Sequence, residues 1–360
     1  MISRSDWQIL DCTLRDGGYY TNWDFSQECV DRYLEAVSCL PVSYIELGYR
    51  ALPEYGKYKG AYYYLPLSYI ESAREKLPAD TKLGVMLDVK NCPPEHSAKL
   101  LQECQGLIDF VRLAADPRKL NVALELAYSI KRLGFEVGLN LMYLSSDYDK
   151  TNVLEEIQNN KGVCDIVSLV DSYGACYPTE VAQAVSLAKH ILDVPVGFHG
   201  HDNLTLAFAN ALAALDAGAD VVDGTLQGMG RGAGNLRTEL IASYLESNLG
   251  NVPDFFAAAP ALDHFSEMKM VHKWGAQIPY IIAGLNGLPQ APVMEWMSKK
   301  RFDMPAIVRA LTTLGKDEDV QQQKKSGNVA KPLRDALPKL HDKKVVVVGG
   351  GQRLLNTRLE

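Results

Sequence analysis

The chain has 360 residues, 47% apolar and 22% charged, with 37 basic against 44 acidic side chains and a formal net charge of -7. That composition allows a large buried core and, without Lys/Arg clustering, argues against a nucleic-acid partner. Seven cysteines with no CxxC pair suggest neither a disulfide framework nor a zinc ribbon, and neither an apolar signal core nor an apolar run of ~18 residues is present, so a reduced, cytoplasmic, membrane-free protein is expected.

Short apolar or β-branched runs recur along the chain: QILDCT from Gln8, SYIEL from Ser43, KLGVML from Lys82, DFVRL from Asp109, EVGLNLM from Glu136, DIVSLV from Asp165, PVGFHGH from Pro195 and DVVDGT from Asp220. These are eight candidate strands whose starts lie 25 to 39 residues apart, room for a strand, a loop, an amphipathic helix and a return. Ser26 is a good N-cap for a stripe at Val30, Tyr33, Leu34 and Val37. A second stripe follows Asn203, at Leu204, Ala207, Phe208, Ala211, Leu212 and Leu215. Eight βα units in about 250 residues match an α/β fold of the (β/α)8 TIM-barrel type, with a doubly wound open sheet as the fallback.

The strand rhythm stops at Leu249, so residues 1–250 are expected to form the barrel and 251–315 a C-terminal helical extension. In that extension DFFAAAPALDHFSEMKMVHKWG, MEWMSKKRF and MPAIVRALTTL read as short helices broken by prolines. Residues 316–360 read as a polar linker followed by KKVVVVGGGQRLLNTRLE, the stub of a further domain or else a terminal strand docked on its own domain.

Barrel chemistry sits where strands end. In PVGFHGHDN, His199 and His201 are two residues apart on strand seven and therefore share a face. CTLRDGG brings Arg15 and Asp16 to the same rim at the end of strand one. Two imidazoles and a carboxylate suit a divalent cation of intermediate hardness, Mn2+ or Mg2+, although non-haem iron uses the same donors. After strand eight, QGMGRGAGN has four glycines in nine residues, so its backbone, Gly232 included, can approach a bound anion, and Asn235 offers an amide oxygen as a further ligand. Arg112 inside strand four needs a carboxylate partner, from a neighbour or from substrate, and Asp171 ends strand six. The tyrosine-rich stretch from Tyr55 to Tyr64 could cover the rim or pack beside it.

Together, TLRDGG, ELG, FVRLA, DSYG, FHGHDNL and LQGMGRGAGN resemble the metallo-lyase barrels that include 4-hydroxy-2-oxovalerate aldolase, hydroxymethylglutaryl-CoA lyase and isopropylmalate synthase, over residues 8 to 250. The aldolase branch is the nearest. The resemblance implies Asp16, His199 and His201 as metal ligands, Asn235 as a weaker one, and Arg15 as stabiliser of an enolate oxygen. It also exposes two departures. Three residues after the aspartate, where the aldolases have a histidine base, stands Tyr19, whose unperturbed pKa is about 10. The tail stretch NGLPQAP lacks the tyrosine those aldolases bring over the site; Tyr280 is nearby but unaligned.

The expected activity is therefore Mn2+-dependent cleavage of a C–C bond in a hydroxylated 2-oxo acid, with pyruvate or a similar acid and an aldehyde as products. Arg15 and Tyr19 are the expected catalytic residues, and Arg112, Asp171 and Gly232 the expected substrate contacts. A homodimer is expected, with a partner enzyme as a candidate recipient of the aldehyde. Acyl-CoA-dependent condensation, as in isopropylmalate or homocitrate synthases, and a catalytically weakened binding subunit are the alternatives.

Overall fold

The structure is a computed structural model that describes residues 7–53, 56 and 58–315. Eight parallel strands close into a barrel in sequence order, β8 pairing with β1. They are β1 (Gln8–Asp11), β2 (Tyr44–Tyr49), β3 (Lys82–Asp88), β4 (Phe110–Ala115), β5 (Glu136–Leu141), β6 (Ile166–Asp171), β7 (Val196–Gly200) and β8 (Val221–Gly224). Every expected strand forms, and the closed order excludes the open sheet.

Helices α1 (Thr13–Thr21) and α2 (Gln27–Cys39) follow β1, and α3 (Ala61–Tyr64) and α4 (Leu67–Lys76) follow β2. The later crossovers carry α5 (Ser97–Leu101), α6 (Leu120–Lys131), α7 (Lys150–Asn159), α8 (Pro178–Ile191), α9 (Ala207–Asp216) and α10 (Thr238–Asn248). Ser26 caps α2 as its sequence suggests, accepting from the Cys29 N–H at 3.2 Å. α9 starts three residues later than its stripe. Asp202 draws the chain into a turn first, its carbonyl taking the Thr205 N–H and its carboxylate the Ala207 N–H, with Thr205 at φ +57°.

Beyond the barrel come α11 (Phe255–His272), α12 (Ile278–Leu285), α13 (Gln290–Ser298) and α14 (Met304–Leu314). Two expectations are corrected here. α11 is one helix of 18 residues that carries Pro260 inside it. Proline removes the N–H that would reach the Phe256 carbonyl four residues back, and Phe256 is 93% exposed, which leaves that residue facing solvent. α12, in IPYIIAGL, was not expected at all. α11 packs on α2, where Phe265, fully buried, meets Tyr33 edge-on at 6.4 Å. Burying one such ring contributes about 1.5–3 kcal/mol. The linker and the VVVVGGG segment lie outside the described residues, as do Glu54 and, in the tyrosine-rich stretch, Tyr55 and Lys57. Tyr62 and Tyr63 from that stretch pack beside the rim, against Phe25, Trp23 and Tyr49. No helix among the described residues is long and apolar enough to cross a membrane.

Strand alternation layers the barrel interior. Leu10, Tyr44, Phe110, Ile166 and Val221 make an apolar floor. Two residues further along the same strands come Cys12, Glu46, Arg112, Ser168 and Asp223, all buried. This second layer is polar, and the rim groups stand on it.

Candidate active site

β1 ends at Asp11 and the chain turns at once into α1, so Arg15 and Asp16 lie in a helical first turn rather than at a strand end. The two glycines after them are required by close packing. A Cβ on Gly17 would lie 2.7 Å from Met229 Sδ, and one on Gly18 would lie 2.1 Å from the Trp23 indole. Across the rim, His199 lies one residue before the end of β7, and His201 forms a bridge with Asn235 from the glycine loop.

These elements bring Asp16, His199, His201 and Asn235 together. One Asp16 oxygen lies 3.8 Å from His199 Nε2 and 3.9 Å from His201 Nε2, and the other end of the contact is the Asn235 amide, which donates to the same oxygen at 2.5 Å. Each imidazole is anchored through its far nitrogen. His201 Nδ1 is 2.8 Å from the Asp171 carbonyl, and His199 Nδ1 is 2.9 Å from the Asp223 carboxylate. A carbonyl can only accept, so His201 Nδ1 carries the hydrogen and Nε2 keeps its lone pair; the ionised Asp223 imposes the same tautomer on His199.

His201 Nε2 and Asn235 Oδ1 are shielded from water and meet no hydrogen-bond partner among the described residues. Buried lone pairs without a donor are costly, and a cation is a partner that both can share with Asp16. A carboxylate, two neutral imidazoles backed by acceptors and an amide oxygen therefore fit a divalent ion.

The electrostatics agree with that fit. Burial opposes ionisation of Asp16, but Arg15 and then His201, His199 and Arg231 outweigh it and hold the carboxyl well below the usual range. Burial pushes His201 down to about 3, with His199 and Arg231 adding to the effect. The unfolded imidazole, with its pKa of about 6.5, takes up a proton first as pH falls. His201 therefore favours the metal-free fold above pH ~6.5 and loses that contribution as pH falls toward ~3, at about 1.4 kcal/mol per unit. Thermal unfolding of metal-free protein between pH 6.5 and 4.5 should accordingly show a steeper fall in Tm for the wild type than for His201→Gln.

Beneath the rim, Glu46 binds Arg15 Nε and lies 3.4 Å from Arg112 Nη1. Arg15 Nη1 meets Asp16 at 2.6 Å, which leaves Nη2 without a protein acceptor among the described residues. Arg112 is committed elsewhere: Nε donates to Asn140 at 2.8 Å and Nη2 to Asp223 at 2.7 Å and Ser168 at 3.3 Å. The neighbour, not substrate, answers the carboxylate question raised by Arg112, because its strand position places it one layer below the rim.

Two other expected substrate contacts have their polar groups engaged within the protein. Asp171 spends both carboxylate oxygens on the Ala175 and Cys176 N–H groups, and only its carbonyl reaches the site, through His201. Gly232, at φ +64°, faces the tail: a Cβ there would stand 1.6 Å from Gln290 Oε1, and its carbonyl accepts from Tyr20 at 2.7 Å. Tyr19 does reach the rim, its hydroxyl 3.3 Å from that of Tyr49. A tail phenol arrives as well. Tyr280 on α12 lies 3.3 Å from the Tyr20 hydroxyl, and its carbonyl takes a bond from Asn203 at 2.8 Å.

Three participants lie in quoted stretches, Glu46 in ELG, Asp223 in DVVDGT and Arg231 in QGMGRGAGN, but the sequence assigns them no role in the site. The register reveals the first two, which stand at inward positions level with Arg112, while Arg231 is the lone charged residue of the glycine loop. Arg231 lies over the Tyr19 ring at 5.4 Å.

Residues 112–268 match the HMGL-like family model. Over 241 residues the chain is 30% identical to the oxaloacetate decarboxylase of Mycobacterium tuberculosis, covering 66% of this chain and 69% of that protein. Over 264 residues it is 33% identical to the 4-hydroxy-2-oxovalerate aldolase of Chloroflexus aurantiacus, covering 72% of this chain and 73% of that one. A crystal structure of the N-terminal domain of a candidate aldolase from Bacteroides vulgatus is 41% identical, with a TM-score of 0.77, over 84% of this chain and 99% of that domain.

Proposed function

The chain belongs to the HMGL-like family and is a metal-dependent carbon–carbon lyase; on that premise we propose that it cleaves a hydroxylated 2-oxo acid to pyruvate, or a similar acid, and an aldehyde. The single observation that carries the reading is the buried meeting of Asp16 with two imidazole Nε2 atoms, one of them without a partner. Both named relatives act on 2-oxo acids, and loss of either CO2 or an aldehyde from such an acid leaves the same kind of enolate.

In this proposal Asp16, His199, His201 and Asn235 hold the cation, with Mn2+ the intended occupant. Bound there, a divalent cation supplies a Lewis acid for the oxygens of the 2-oxo acid. Arg15 turns Nη2 toward the 2-oxo oxygen and is kept in place by Glu46 and Asp16, so its charge meets the enolate with little reorganisation. Tyr19 Oη, which reaches the rim beside Tyr49, takes the proton from the C4 hydroxyl. The C3–C4 bond breaks, its electron pair moves onto the 2-oxo group as enolate, and C4 leaves as the aldehyde. Tyr19 then returns the proton to C3, giving pyruvate. Cytoplasmic location and a homodimer belong to the same proposal; exposed Phe256, Met270 and Val271 on α11 support the latter.

Release of pyruvate from a panel of 4-hydroxy-2-oxo acids tests the reading. Activity should fall at least about a hundredfold in EDTA and return with Mn2+ or Mg2+. Turnover indifferent to chelation would overturn it, and thiol release from acetyl-CoA with a 2-oxo acid would favour condensation instead.

A further inference from the structure

Arg231 is the rim cation that the reaction described above leaves without a carboxylate. Arg15 is paired with Asp16 and Glu46, and Arg112 with Glu46 and Asp223. Among the described residues Arg231 meets no carboxylate within ion-pair distance. Its Nε is shielded from solvent and has no acceptor, and its Nη2 has only the Ser172 carbonyl at 3.4 Å. A guanidinium buried at Nε and lacking an anion is an expensive group to keep, and its planar fork suits a carboxylate or phosphate.

The loop that carries it is built to hold it there. Gly230 has no room for a Cβ, which would fall 2.5 Å from the Asn235 amide, and Gly232 adopts φ +64°. Arg231 is thus fixed between the Asn235 side of the cation site and the Tyr19 ring. On the side of Ser172 the rim carries Lys90, 6.0 Å from the Tyr143 ring, and the Tyr143 N–H donates to Ser172 Oγ at 2.8 Å; Arg118, 5.9 Å from the same ring, is paired with Asp116.

We infer that Arg231 selects the substrate by pairing with a second oxyanion at its far end, so that the lyase takes 2-oxo acids that also carry a distal carboxylate or phosphate. This rests on the 2-oxo acid reading above and adds the substrate class. Arg231 would then discriminate between acids that bind equally well at their 2-oxo ends.

The test is calorimetric titration of the full chain loaded with Mn2+, using inert pairs of matched length: 2-oxoglutarate against 2-oxopentanoate, 2-oxoadipate against 2-oxohexanoate, and 3-phosphonopyruvate against 2-oxobutanoate. A charged hydrogen-bonded pair should make at least one doubly acidic ligand bind about ten- to a hundredfold more tightly than its partner. The pair that shows it assigns the carboxylate or the phosphate. Arg231→Gln should erase the preference while shifting monoacid affinity by less than about threefold, and Arg231→Lys should keep part of it. Monoacids that bind while diacids bind no better, or a preference that survives Arg231→Gln, would overturn this inference alone. Failure of both ligand classes to bind would overturn the 2-oxo acid reading and this inference with it. The wild-type comparison is decisive even if a variant folds poorly.

Discussion

Asp16→Asn should cost the protein its divalent cation and its lyase activity together. Asparagine keeps the shape and the volume of the side chain, though it also takes away the charge that pairs with Arg15 at 2.6 Å. What it removes is the one negative charge that faces both imidazole Nε2 atoms, 3.8 and 3.9 Å away. Hard divalent ions depend on such a charge far more than on neutral nitrogen. Mn2+ affinity, measured by calorimetry or by electron paramagnetic resonance of free Mn2+, should fall by more than about a hundredfold. Asp223→Asn provides the scale. Asp223 meets His199 on its far side and also pairs with Arg112 at 2.7 Å, and loss of such an outer partner weakens metal binding by about ten- to a hundredfold. Asp16→Asn must therefore be the worse of the two. If it retained Mn2+ as tightly as the wild type, the assignment of the site would fail.

The barrel was readable because its signal is repetitive. Eight apolar runs at regular spacing leave few alternatives, and the HxH pair needs only the two-residue period of a strand to face one point. The tail was harder because proline is ambiguous locally. Pro260 reads as a break in sequence, yet the carbonyl it leaves free belongs to an exposed residue and the helix continues.

The less legible half of the site is the half made by partners distant in sequence. Arg112 in FVRLA announces a buried charge but not its depth, and only the register of β2, β4 and β8 reveals that Glu46 and Asp223 meet it below the rim. Asp171 differs for the opposite reason: its carboxylate turns away to hold the loop after β6, and the atom that meets His201 is its backbone carbonyl. Tyr280, unaligned in sequence, reaches Tyr20 because α12 is tied down at the Asn203 amide, a contact 77 residues long in the chain.

Glu46→Gln should produce a large loss of stability. Glu46 is fully buried and is shared by two arginines, Arg15 above it and Arg112 beside it. Glutamine can accept a hydrogen bond from either but carries no charge, so two buried guanidiniums are left with Asp16 and Asp223 alone. Breaking a buried ion network by removing one member costs about 3–5 kcal/mol. In a chain of this size each kcal/mol corresponds to about 2–4 °C, so Tm should drop by about 6–20 °C. The catalytic consequence should separate from the structural one. Arg15 loses its grip at Nε, so kcat should fall more than KM rises, whereas a general loosening of the barrel would weaken cation binding first. Arg112→Met in the same background removes one of the stranded cations and replaces it with hydrocarbon of similar length. The double variant should then be more stable than additivity allows, by at least about 1 kcal/mol. Strict additivity would mean that Glu46 and Arg112 do not share an ion network, and the layer beneath the rim would have to be understood as independent hydrogen bonds.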